Sequence, residues 1–317
     1  MDQLQALRVF VRIAESGGFS KAADALNVPR ATVSKLIQEL ETHLRVRLFQ
    51  RSTRRVVVTE EGQVYYHNAV KLLADIDEMD GLFADSHGNP RGRIRVDIGS
   101  SLANLILLPH LPAFRKRYPE IQLDVGVSDR QVDLIGEGVD CVIRGGELTD
   151  MSLVARRLAG LEWGTYAGSS YLAERGTPSH PDDLLARHEV VGYFSSLSGR
   201  VFPLLFEQGD ETITVDPKGA RGVFVNESTA HLTSLVSGLG VGQTFSFMAQ
   251  PWLKNGDLVQ VLPHWKRPLH PMHIVFPQSK YNSARLKVFV DWVIEVFRPY
   301  DSTPAPSHAY ALRASGS

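Results

Sequence analysis

The sequence predicts a two-part α+β chain: a helical head with a helix-turn-helix and a β-hairpin, a long helix, and a C-terminal α/β region. Up to about residue 85, apolar side chains recur every three or four positions, which indicates helices. From residue 93 onward, short β-rich runs alternate with helical stretches, which indicates a parallel sheet built from βαβ units. Between the two parts, residues 87–92 read His-Gly-Asn-Pro-Arg-Gly, a composition typical of a hinge.

The composition is that of a folded protein with two or three domains. The 317 residues are 43% hydrophobic and 22% charged, which supplies enough apolar side chains for buried cores. The amino terminus lacks a secretory signal pattern, and no apolar run approaches the roughly 20 residues that span a bilayer. We therefore expect a soluble cytoplasmic protein that does not contact a membrane.

Cysteine and histidine content argues against metal and redox chemistry. The single cysteine, Cys141, excludes an intrachain disulfide, and its apolar surroundings predict a core position rather than a redox sensor. His264, His270 and His273 lie among prolines and lack the i,i+4 spacing of helical metal ligands. We expect no metal and no other cofactor.

Charge is distributed unevenly although the net formal charge is only -1. Residues 1–60 hold ten basic against six acidic residues, whereas residues 61–90 hold one lysine against six acidic residues. A basic head is typical of a nucleic-acid-binding surface, and the whole-chain sum conceals it.

The head contains three predicted helices. The first has an apolar face and ends at Ser16-Gly17-Gly18. Ser20 is a candidate N-cap for a short second helix over residues 21–26, and Asn27-Val28-Pro29 forms a turn into a third helix over residues 30–43. The expected buried positions are Leu4, Leu7, Val11 and Ala14 in the first helix, and Val33, Ile37, Leu40 and Leu44 in the third.

The second and third helices form a candidate helix-turn-helix. Ala23 is small, which allows the two helix axes to approach closely. The third helix presents short and long polar side chains suited to base edges and phosphates. The candidate DNA-binding residues here are Ser20, Arg30, Ala31, Thr32, Ser34, Lys35 and Gln38. The alternative is a generic helical hairpin with a solvated basic face.

A β-hairpin is predicted over residues 53–59. Arg54 and Arg55 lie at its tip, where they could enter the minor groove or bind the DNA backbone. Arg51 is a further candidate, either as a backbone contact or as a brace for the hairpin.

Residues 59–85 predict one long helix with an apolar seam at alternating spacings of three and four. The seam could pair with a second subunit as a coiled coil or pack against its own domain, because it covers fewer than three heptads. The candidate dimerisation residues are Tyr65, Ala69, Leu72, Ile76, Met79 and Phe83.

Sequence motifs along most of the chain resemble the LysR-type transcriptional regulator family. In the head, the matching stretches are residues 4–23, 32–41, 47–54 and 59–62, which read LQALRVFVRIAESGGFSKAA, TVSKLIQELE, RLFQRSTR and TEEG. In the C-terminal part, they are residues 166–172, 176–178, 181–184 and 238–242, which read YAGSSYL, GTP, PDDL and GLGVG.

The resemblance implies a winged helix-turn-helix, a linker helix that pairs subunits, and a periplasmic-binding-protein-like effector domain of two subdomains. It implies a dimer, or a dimer of dimers, on an inverted-repeat operator in double-stranded DNA, with RNA polymerase as a candidate partner. Many family members carry Gln at the position of Arg30, so that residue is open between reading guanine and binding a phosphate.

The expected domain boundaries follow from the hinge and from the resemblance. We expect a DNA-binding domain at 1–59, a linker helix at 60–87, an effector domain at 88–298 and a disordered tail at 299–317. Within the effector domain, subdomain I is expected at 92–162 and 268–298, and subdomain II at 163–267.

Polar residues at the carboxyl ends of predicted strands mark a candidate effector site, because ligands bind at that edge of α/β sheets. Ser100, Ser101, Ser128, Arg144 and Gly145 follow three strands in turn and match the family's inducer pocket by position. The facing lobe is expected to supply residues 226–228 and 243–245, namely Asn226, Glu227, Ser228, Gln243, Thr244 and Phe245. The two hydroxyls and the arginine suggest a carboxylate effector; turn and helix-cap roles are the alternative.

The sequence therefore predicts a ligand-responsive, DNA-binding transcriptional regulator without catalytic activity. One alternative is a small-molecule-binding protein or enzyme on the same two-lobed fold, with a head that only dimerises. Another is an architectural protein that bends DNA without a ligand.

Overall fold

The chain divides into two compact units, one formed mainly by residues up to 92 and the other mainly by residues from 93 onward. The structure is a computed structural model that describes residues 2–51, 56–84, 90–130, 132, 134, 137–146, 153–281 and 283–304. No helix in these ranges is both long and apolar enough to cross a membrane.

Three helices form the base of the first unit. They are α1 (Gln3–Ser16), α2 (Phe19–Leu26) and α3 (Arg30–Leu44). The Asp2 carboxylate caps α1 by accepting from the Gln5 backbone N–H at 3.0 Å, and Gly17 ends that helix in the left-handed conformation. The prediction that Ser20 caps α2 is wrong, because α2 begins at Phe19 and Gly18 occupies the N-cap position.

The buried face of α1 overlaps the predicted one only in part, because Leu7 is buried as expected and Val11 and Ala14 pack against the core, but Leu4 does not. Leu4 is 36% exposed, whereas Phe10 and Ile13 are fully buried. The three-and-four spacing fits both faces, and the aromatic contact of Phe10 with Phe49 favours the observed one. The buried positions of α3 are Val33, Leu36, Ile37, Leu40 and Glu41.

A two-stranded hairpin and a long helix complete the first unit. Strand β1 (Phe49–Arg51) pairs antiparallel with β2 (Val56–Val58), and α4 (Glu60–Ala84) follows. The Thr59 hydroxyl accepts from the Gly62 N–H at 2.9 Å and donates to the Arg47 carbonyl at 2.7 Å, so it caps α4 and ties it to the chain before β1.

The first part of the predicted seam on α4 faces its own domain. Tyr65 meets the Phe10 ring edge-on at 5.3 Å, and Ala69 is 2% exposed in the same core. The prediction that Tyr65 and Ala69 belong to the dimerisation seam is therefore wrong, because the helical head already covers these two side chains. Leu72 is 49% exposed, Ile76 is partly buried, and the side chains of Met79 and Phe83 lie outside the described part of the chain.

The second unit begins with a five-stranded sheet of β3 (Gly92–Ile98), β4 (Ile121–Val127), β5 (Cys141–Gly145), β6 (Leu153–Leu161) and β14 (His270–Pro277). The strand order in this sheet is β4-β3-β5-β14-β6. Its helices are α5 (Ser100–Leu102), which continues through a π-helical turn (Ala103–Leu107) into α6 (Leu108–Arg117), and α11 (Ala284–Phe297). We call this sheet with its helices the first lobe.

A second five-stranded sheet forms the second lobe and consists of β7 (Trp163–Gly168), β8 (Val190–Tyr193), β11 (Gly222–Val225), β12 (Val241–Phe245) and β13 (Leu258–Val261). The strand order in this sheet is β11-β8-β12-β7-β13. Its helices are α7 (Ser169–Arg175), α8 (Asp183–Arg187), α9 (Ser228–Val236) and α10 (Ser246–Asn255), and a separate hairpin joins β9 (Leu204–Gln208) to β10 (Glu211–Val215).

Both sheets are mixed, which corrects the expectation of parallel sheets. The pairs β3–β5 and β8–β11 are parallel, but β14 runs antiparallel to β5 and β6, and β7 runs antiparallel to β12 and β13. The chain crosses from β6 into β7 and returns from β13 into β14. The strand that follows each crossing, β7 or β14, runs opposite to its neighbours.

The end of α11 and the residues after it are ordered as far as Pro304, which corrects the start of the expected disordered tail. The Asp301 carboxylate accepts two hydrogen bonds from Arg157, each 3.0 Å long, and one from the Gly160 N–H at 2.8 Å. These bonds hold the pKa of Asp301 below its ordinary value, the Arg157 bond being the largest cause. Residues 305–317 lie outside the described part of the chain.

Cys141 lies in the core of the first lobe, as predicted. Its side chain is fully buried among the apolar residues of β3, β5 and β14. Burial raises the pKa of its thiol well above the ordinary value, so the thiolate that reacts with oxidants is disfavoured.

Candidate functional site

The amino-terminal end of α3 presents a group of polar side chains on the first unit. Arg30, Ala31, Lys35 and Gln38 are exposed, and Thr32 and Ser34 are partly exposed. Pro29 occupies the N-cap, and no side chain in the described part of the chain caps the helix by accepting from its first-turn N–H groups. Free N–H groups and the positive end of the helix dipole favour a phosphate at this position.

The turn before α3 fixes the angle between the two helices of the motif. Asn27 ends α2 in the left-handed conformation, with φ of 53°, and the Val28 N–H donates to the Ala23 carbonyl at 3.0 Å. Ala22 and Ala23 are buried at the crossing, as their size predicts. Ser20 is exposed on α2 beside this crossing.

Glu41, which the sequence did not single out, joins the end of α3 to the hairpin. Its carboxylate is buried and accepts from the N–H groups of Leu48 at 2.8 Å and Phe49 at 3.1 Å. The Arg47 guanidinium lies 3.6 Å from the second oxygen. The sequence did carry a signal for this role, because Glu41 adjoins the predicted buried residue Leu40, and a buried carboxylate requires a hydrogen-bond partner.

The hairpin arginines can be placed only in part. Arg51 lies in β1, but its side chain is outside the described part of the chain, as are Arg54 and Arg55 entirely.

On α3, the Lys35 side chain is 77% exposed, and its Nζ lies 3.9 Å from Glu39 Oε1. This surface ion pair contributes little to stability.

In the second unit, the predicted serine corner lies where the two lobes meet. Ser100 and Ser101 are buried at the start of α5, directly after β3. The Ser100 N–H donates to Asp129 Oδ1 at 2.7 Å, and the Ser101 N–H donates to the Ser228 hydroxyl at 3.1 Å. Ser228 begins α9 in the second lobe, so the sequence-predicted residues of both lobes are brought together.

Asp129 is the residue that sequence reasoning missed here. Its second oxygen, Oδ2, accepts from the Ser228 N–H at 2.6 Å and lies 3.2 Å from the Tyr193 hydroxyl. That hydroxyl also lies 3.0 Å from the Asn226 carbonyl. Asp129 follows Ser128 at the carboxyl end of β4, so the rule that selected Ser128 also covers it.

Asp129 and burial also affect the phenol of Tyr193. Burial raises the pKa of this group well above its ordinary value, and the neighbouring carboxylate raises it further. Tyr193 therefore remains a neutral hydrogen-bond donor across the pH range in which proteins fold.

Arg144, at the end of β5, is bound within the first lobe. Its guanidinium pairs with the Asp97 carboxylate and lies 3.3 Å from the Arg130 carbonyl. Burial lowers the pKa of Arg144, and Asp97 and Asp129 oppose that shift. The buried Ser128 hydroxyl has no hydrogen-bond partner among the described residues.

A second cluster lies where the chain crosses between the lobes. The Trp163 and Phe245 rings lie 4.1 Å apart, and the Arg267 guanidinium lies over the Trp163 ring at 4.0 Å. Arg267 also donates to Gln243 Oε1 at 3.1 Å. Phe245 and Gln243 were predicted from their place at a strand end, whereas Trp163 and Arg267 lie outside the carboxyl ends of strands and carry no such signal.

His270 joins this cluster to the end of β5. Its imidazole meets the Trp163 ring at 84° with centroids 5.8 Å apart. A Cβ at Gly145 would overlap this imidazole and lie 2.9 Å from Met272 Sδ, so glycine is required for the close approach. Among the described residues, no group of three or more His, Cys, Asp or Glu is arranged to hold a metal ion.

Glu227 caps α9. Its carboxylate accepts from the N–H groups of Thr229 at 3.1 Å and Ala230 at 2.7 Å. The pKa of Glu227 is lowered because the hydrogen bonds to its carboxylate outweigh the effect of burial. This residue has the cap role that the sequence left as the alternative to ligand binding.

Family models match both units. A model described as "Bacterial regulatory helix-turn-helix protein, lysR family" matches residues 4–63, and one described as "LysR substrate binding domain" matches residues 87–298.

Curated relatives match over nearly the whole chain. An HTH-type transcriptional repressor of Pseudomonas aeruginosa is 37% identical over 297 residues, which cover 94% of this chain and 93% of that protein. The transcriptional regulator CrgA of Neisseria meningitidis is 32% identical over 293 residues, covering 92% of this chain and 96% of that protein.

Solved full-length structures have the same fold. The Vibrio cholerae virulence activator AphB superposes with a TM-score of 0.60 at 26% identity, covering 92% of this chain and 98% of that chain. CrgA from Neisseria meningitidis superposes with a TM-score of 0.59 at 28% identity, covering 92% of this chain and 98% of that chain.

Proposed function

Because the chain belongs to the LysR family of transcriptional regulators, we propose that it binds an inverted-repeat operator through α2 and α3 and responds to a small-molecule effector. The observation that carries the DNA-binding part is the uncapped amino-terminal end of α3 with its exposed polar side chains. Glu41 holds that helix against the hairpin, so the surface enters the major groove as one rigid body.

Each residue of this surface has a proposed role. Arg30, Ala31, Thr32 and Lys35 face base edges, and Ser34 binds a phosphate. Ser20 and Gln38 flank that surface, and Arg51, Arg54 and Arg55 bind the backbone or the minor groove from the hairpin.

We propose that the active form is a dimer or a dimer of dimers. Leu72 supports this proposal, since its side chain is about half exposed on α4, whereas the adjacent Leu73 packs against the core of the head. The proposed dimerisation seam therefore consists of Leu72, Ile76, Met79 and Phe83.

The proposed domain boundaries remain those of the sequence, with a DNA-binding domain at 1–59, a linker helix at 60–87 and an effector domain at 88–298. The regulator acts in the cytoplasm, where the chromosome lies, and it catalyses no reaction. RNA polymerase is a candidate partner. The relatives include both a named repressor and a named activator, so the proposal leaves the sign of regulation open.

We propose that the effector binds where the two lobes meet. The residues that support this site are Ser100, Ser101, Ser128, Arg144 and Gly145 in the first lobe, and Asn226, Ser228 and Phe245 in the second. Ser128 supports it most directly, because its buried hydroxyl has no partner in the described part of the chain and so calls for a ligand or a water. Effector binding would change lobe closure and so the geometry of the bound DNA.

The testing experiment is selection of genomic fragments by the purified full-length protein at ~150 mM salt. We expect enrichment of an inverted repeat whose half-sites lie about one helical turn or more apart. Lys35→Ala should reduce the enrichment, and Arg115→Ala, an exposed change on α6, should leave it unchanged. Binding that is lost steeply with salt and enriches no sequence would overturn the proposal and favour the two alternative functions.

A further inference from the structure

The corner that the sequence assigned to an anionic ligand is already filled by carboxylates of the chain. Asp129 accepts from the N–H groups that begin α5 and α9, at 2.7 Å from Ser100 and 2.6 Å from Ser228. Arg144 is paired with Asp97. An effector carboxylate placed on these donors would have to displace Asp129 or Asp97. A carboxylate effector therefore needs a cation other than Arg144 to bind to.

Arg267 is a cation with no carboxylate beside it among the described residues. It follows β13 on the return crossing, and among the described residues no carboxylate oxygen lies within 4.0 Å of its guanidinium. Burial lowers its pKa to about 10, still far above neutral pH, so the group keeps its charge. A partly buried charge without a counter-ion is costly, and proteins retain such charges where a ligand supplies the partner.

The position of the Arg267 guanidinium is fixed by its neighbours. Its Cζ lies over the Trp163 ring, 4.0 Å from the ring centroid, and its Nη1 donates to Gln243 Oε1 at 3.1 Å. Gln243 is itself held by Leu205, whose N–H donates to Oε1 at 3.2 Å and whose carbonyl accepts from Nε2 at 2.8 Å. One edge of the guanidinium fork therefore donates to Gln243, and its other N–H groups meet no protein acceptor among the described residues.

Aromatic rings near the two strands that cross between the lobes surround the Arg267 guanidinium. His270 lies against Trp163 and against Phe245, with centroids 5.8 and 5.6 Å apart. Burial, with contributions from Arg267 and His273, lowers the pKa of His270 to about 4, so its imidazole is neutral at physiological pH. A neutral imidazole can donate a hydrogen bond without adding a second charge.

We propose that Arg267 determines effector specificity by binding the carboxylate of a small acid whose flat apolar body lies against Trp163, Phe245 and His270. This inference rests on the proposed function, since it names the chemistry of the effector site. The guanidinium fork matches a carboxylate in a bidentate geometry, and the rings match an aromatic or unsaturated body. The cluster contacts Gly145 at the end of β5 and includes the end of β12, so the bound acid would touch both lobes.

The test measures binding of benzoate, cinnamate and sorbate, each against its amide, to the full-length protein by thermal shift and calorimetry. We expect at least one acid to bind and its amide to bind much more weakly. Arg267→Gln should reduce the affinity for the acid by about 30-fold or more, so that acid and amide bind equally. Arg115→Gln, an exposed change on α6, should leave both affinities unchanged.

A second variant covers the case in which Arg267→Gln does not fold. Arg267→Lys keeps the charge but loses the fork, so it should bind the acid with intermediate affinity. The inference is overturned if no acid of the set binds, if amides bind as well as acids, or if the acid affinity survives in Arg267→Gln. Operator selection by the same protein tests the proposed function separately, because it requires no added acid.

Discussion

The carboxylate of Asp129 in the first lobe accepts a hydrogen bond of 2.6 Å from the backbone N–H of Ser228, the first residue of α9 in the second lobe. The same carboxylate accepts from the Ser100 N–H, the first residue of α5, at 2.7 Å. One side chain therefore satisfies helix-end donors of both lobes, a position that a bound anion would otherwise hold. Asp129 links the lobes directly and is expected to bias their closure.

Asp129→Ala should destabilise the effector domain. The change leaves two helix-end N–H groups without their charged acceptor, which predicts a loss of about 2–4 kcal/mol in the free energy of unfolding. Urea unfolding of the full chain, followed by far-UV circular dichroism, measures this loss. Asp210→Ala, an exposed change between β9 and β10, is the matched control and should be neutral. Equal midpoints for the two variants would show that Asp129 does not hold the lobes together.

Glu41→Ala should loosen the hairpin from α3 and weaken DNA binding. The buried carboxylate accepts from the N–H groups of Leu48 and Phe49, and its removal leaves both donors unsatisfied. Hydrogen exchange at these two amides in the full chain should accelerate by at least about tenfold, which corresponds to ~1.4 kcal/mol. Glu39→Ala, which breaks only the surface pair with Lys35, should not change it. Unaltered exchange in Glu41→Ala would reject the anchoring role.

Local features of the molecule could be predicted from sequence because they depend on neighbouring residues. The turn at Asn27 and the small residue Ala23 at the helix crossing follow from the conformational preferences of those side chains. The apolar spacing in α4 predicted a buried face, but spacing does not say what covers it, and the head covers Tyr65.

Pairings between distant parts of the chain could not be predicted in the same way. Asp129 binds Ser228 across 99 positions of sequence. Arg267 stacks on Trp163, a residue of the opposite crossing. Each contact depends on how the two lobes meet, and no periodicity or local motif in the sequence records that arrangement.

Gly62→Ala should destabilise the first unit. A Cβ at this position would overlap the Leu48 carbonyl oxygen and lie 2.7 Å from a Val58 methyl, so α4 would have to move away from the hairpin. Overpacking of this kind costs about 1–3 kcal/mol. Calorimetry of the full chain should detect this cost as a lower unfolding temperature of the first unit. Gly18→Ala is the matched control, because a Cβ there meets no atom within 4 Å and its backbone is extended. Similar transitions in both variants would contradict the close approach.

His231→Gln should reduce the loss of stability in mild acid. His231 is 3% exposed and donates from Nε2 to the Val191 carbonyl at 3.1 Å. Burial lowers the pKa of its imidazole from 6.5 to about 4. Between these values the unfolded chain binds a proton that the folded chain does not, so the free energy of unfolding falls as pH decreases.

The size of this effect is on the order of 2–3 kcal/mol between pH ~6.5 and ~4. Urea unfolding at several pH values should give a shallower pH dependence for His231→Gln than for the native chain. His264→Gln, a change at an exposed histidine, should keep the native dependence. Parallel curves for the native chain and His231→Gln would show that His231 does not titrate in this range.

Arg30→Gln should change which base is preferred in each half-site. Arg30 is exposed in the first turn of α3, where side chains of a recognition helix reach base edges. Arginine binds guanine O6 and N7 in a bidentate geometry, whereas glutamine binds adenine N6 and N7, so a guanine position in the native operator should become an adenine position. Discrimination at that position should change by about 1–3 kcal/mol, measured by competition among operator variants at fixed salt. Arg115→Gln should leave the preference unaltered. A uniform loss of affinity for every variant operator, with a salt slope lower by about 0.9, would instead assign Arg30 to a phosphate.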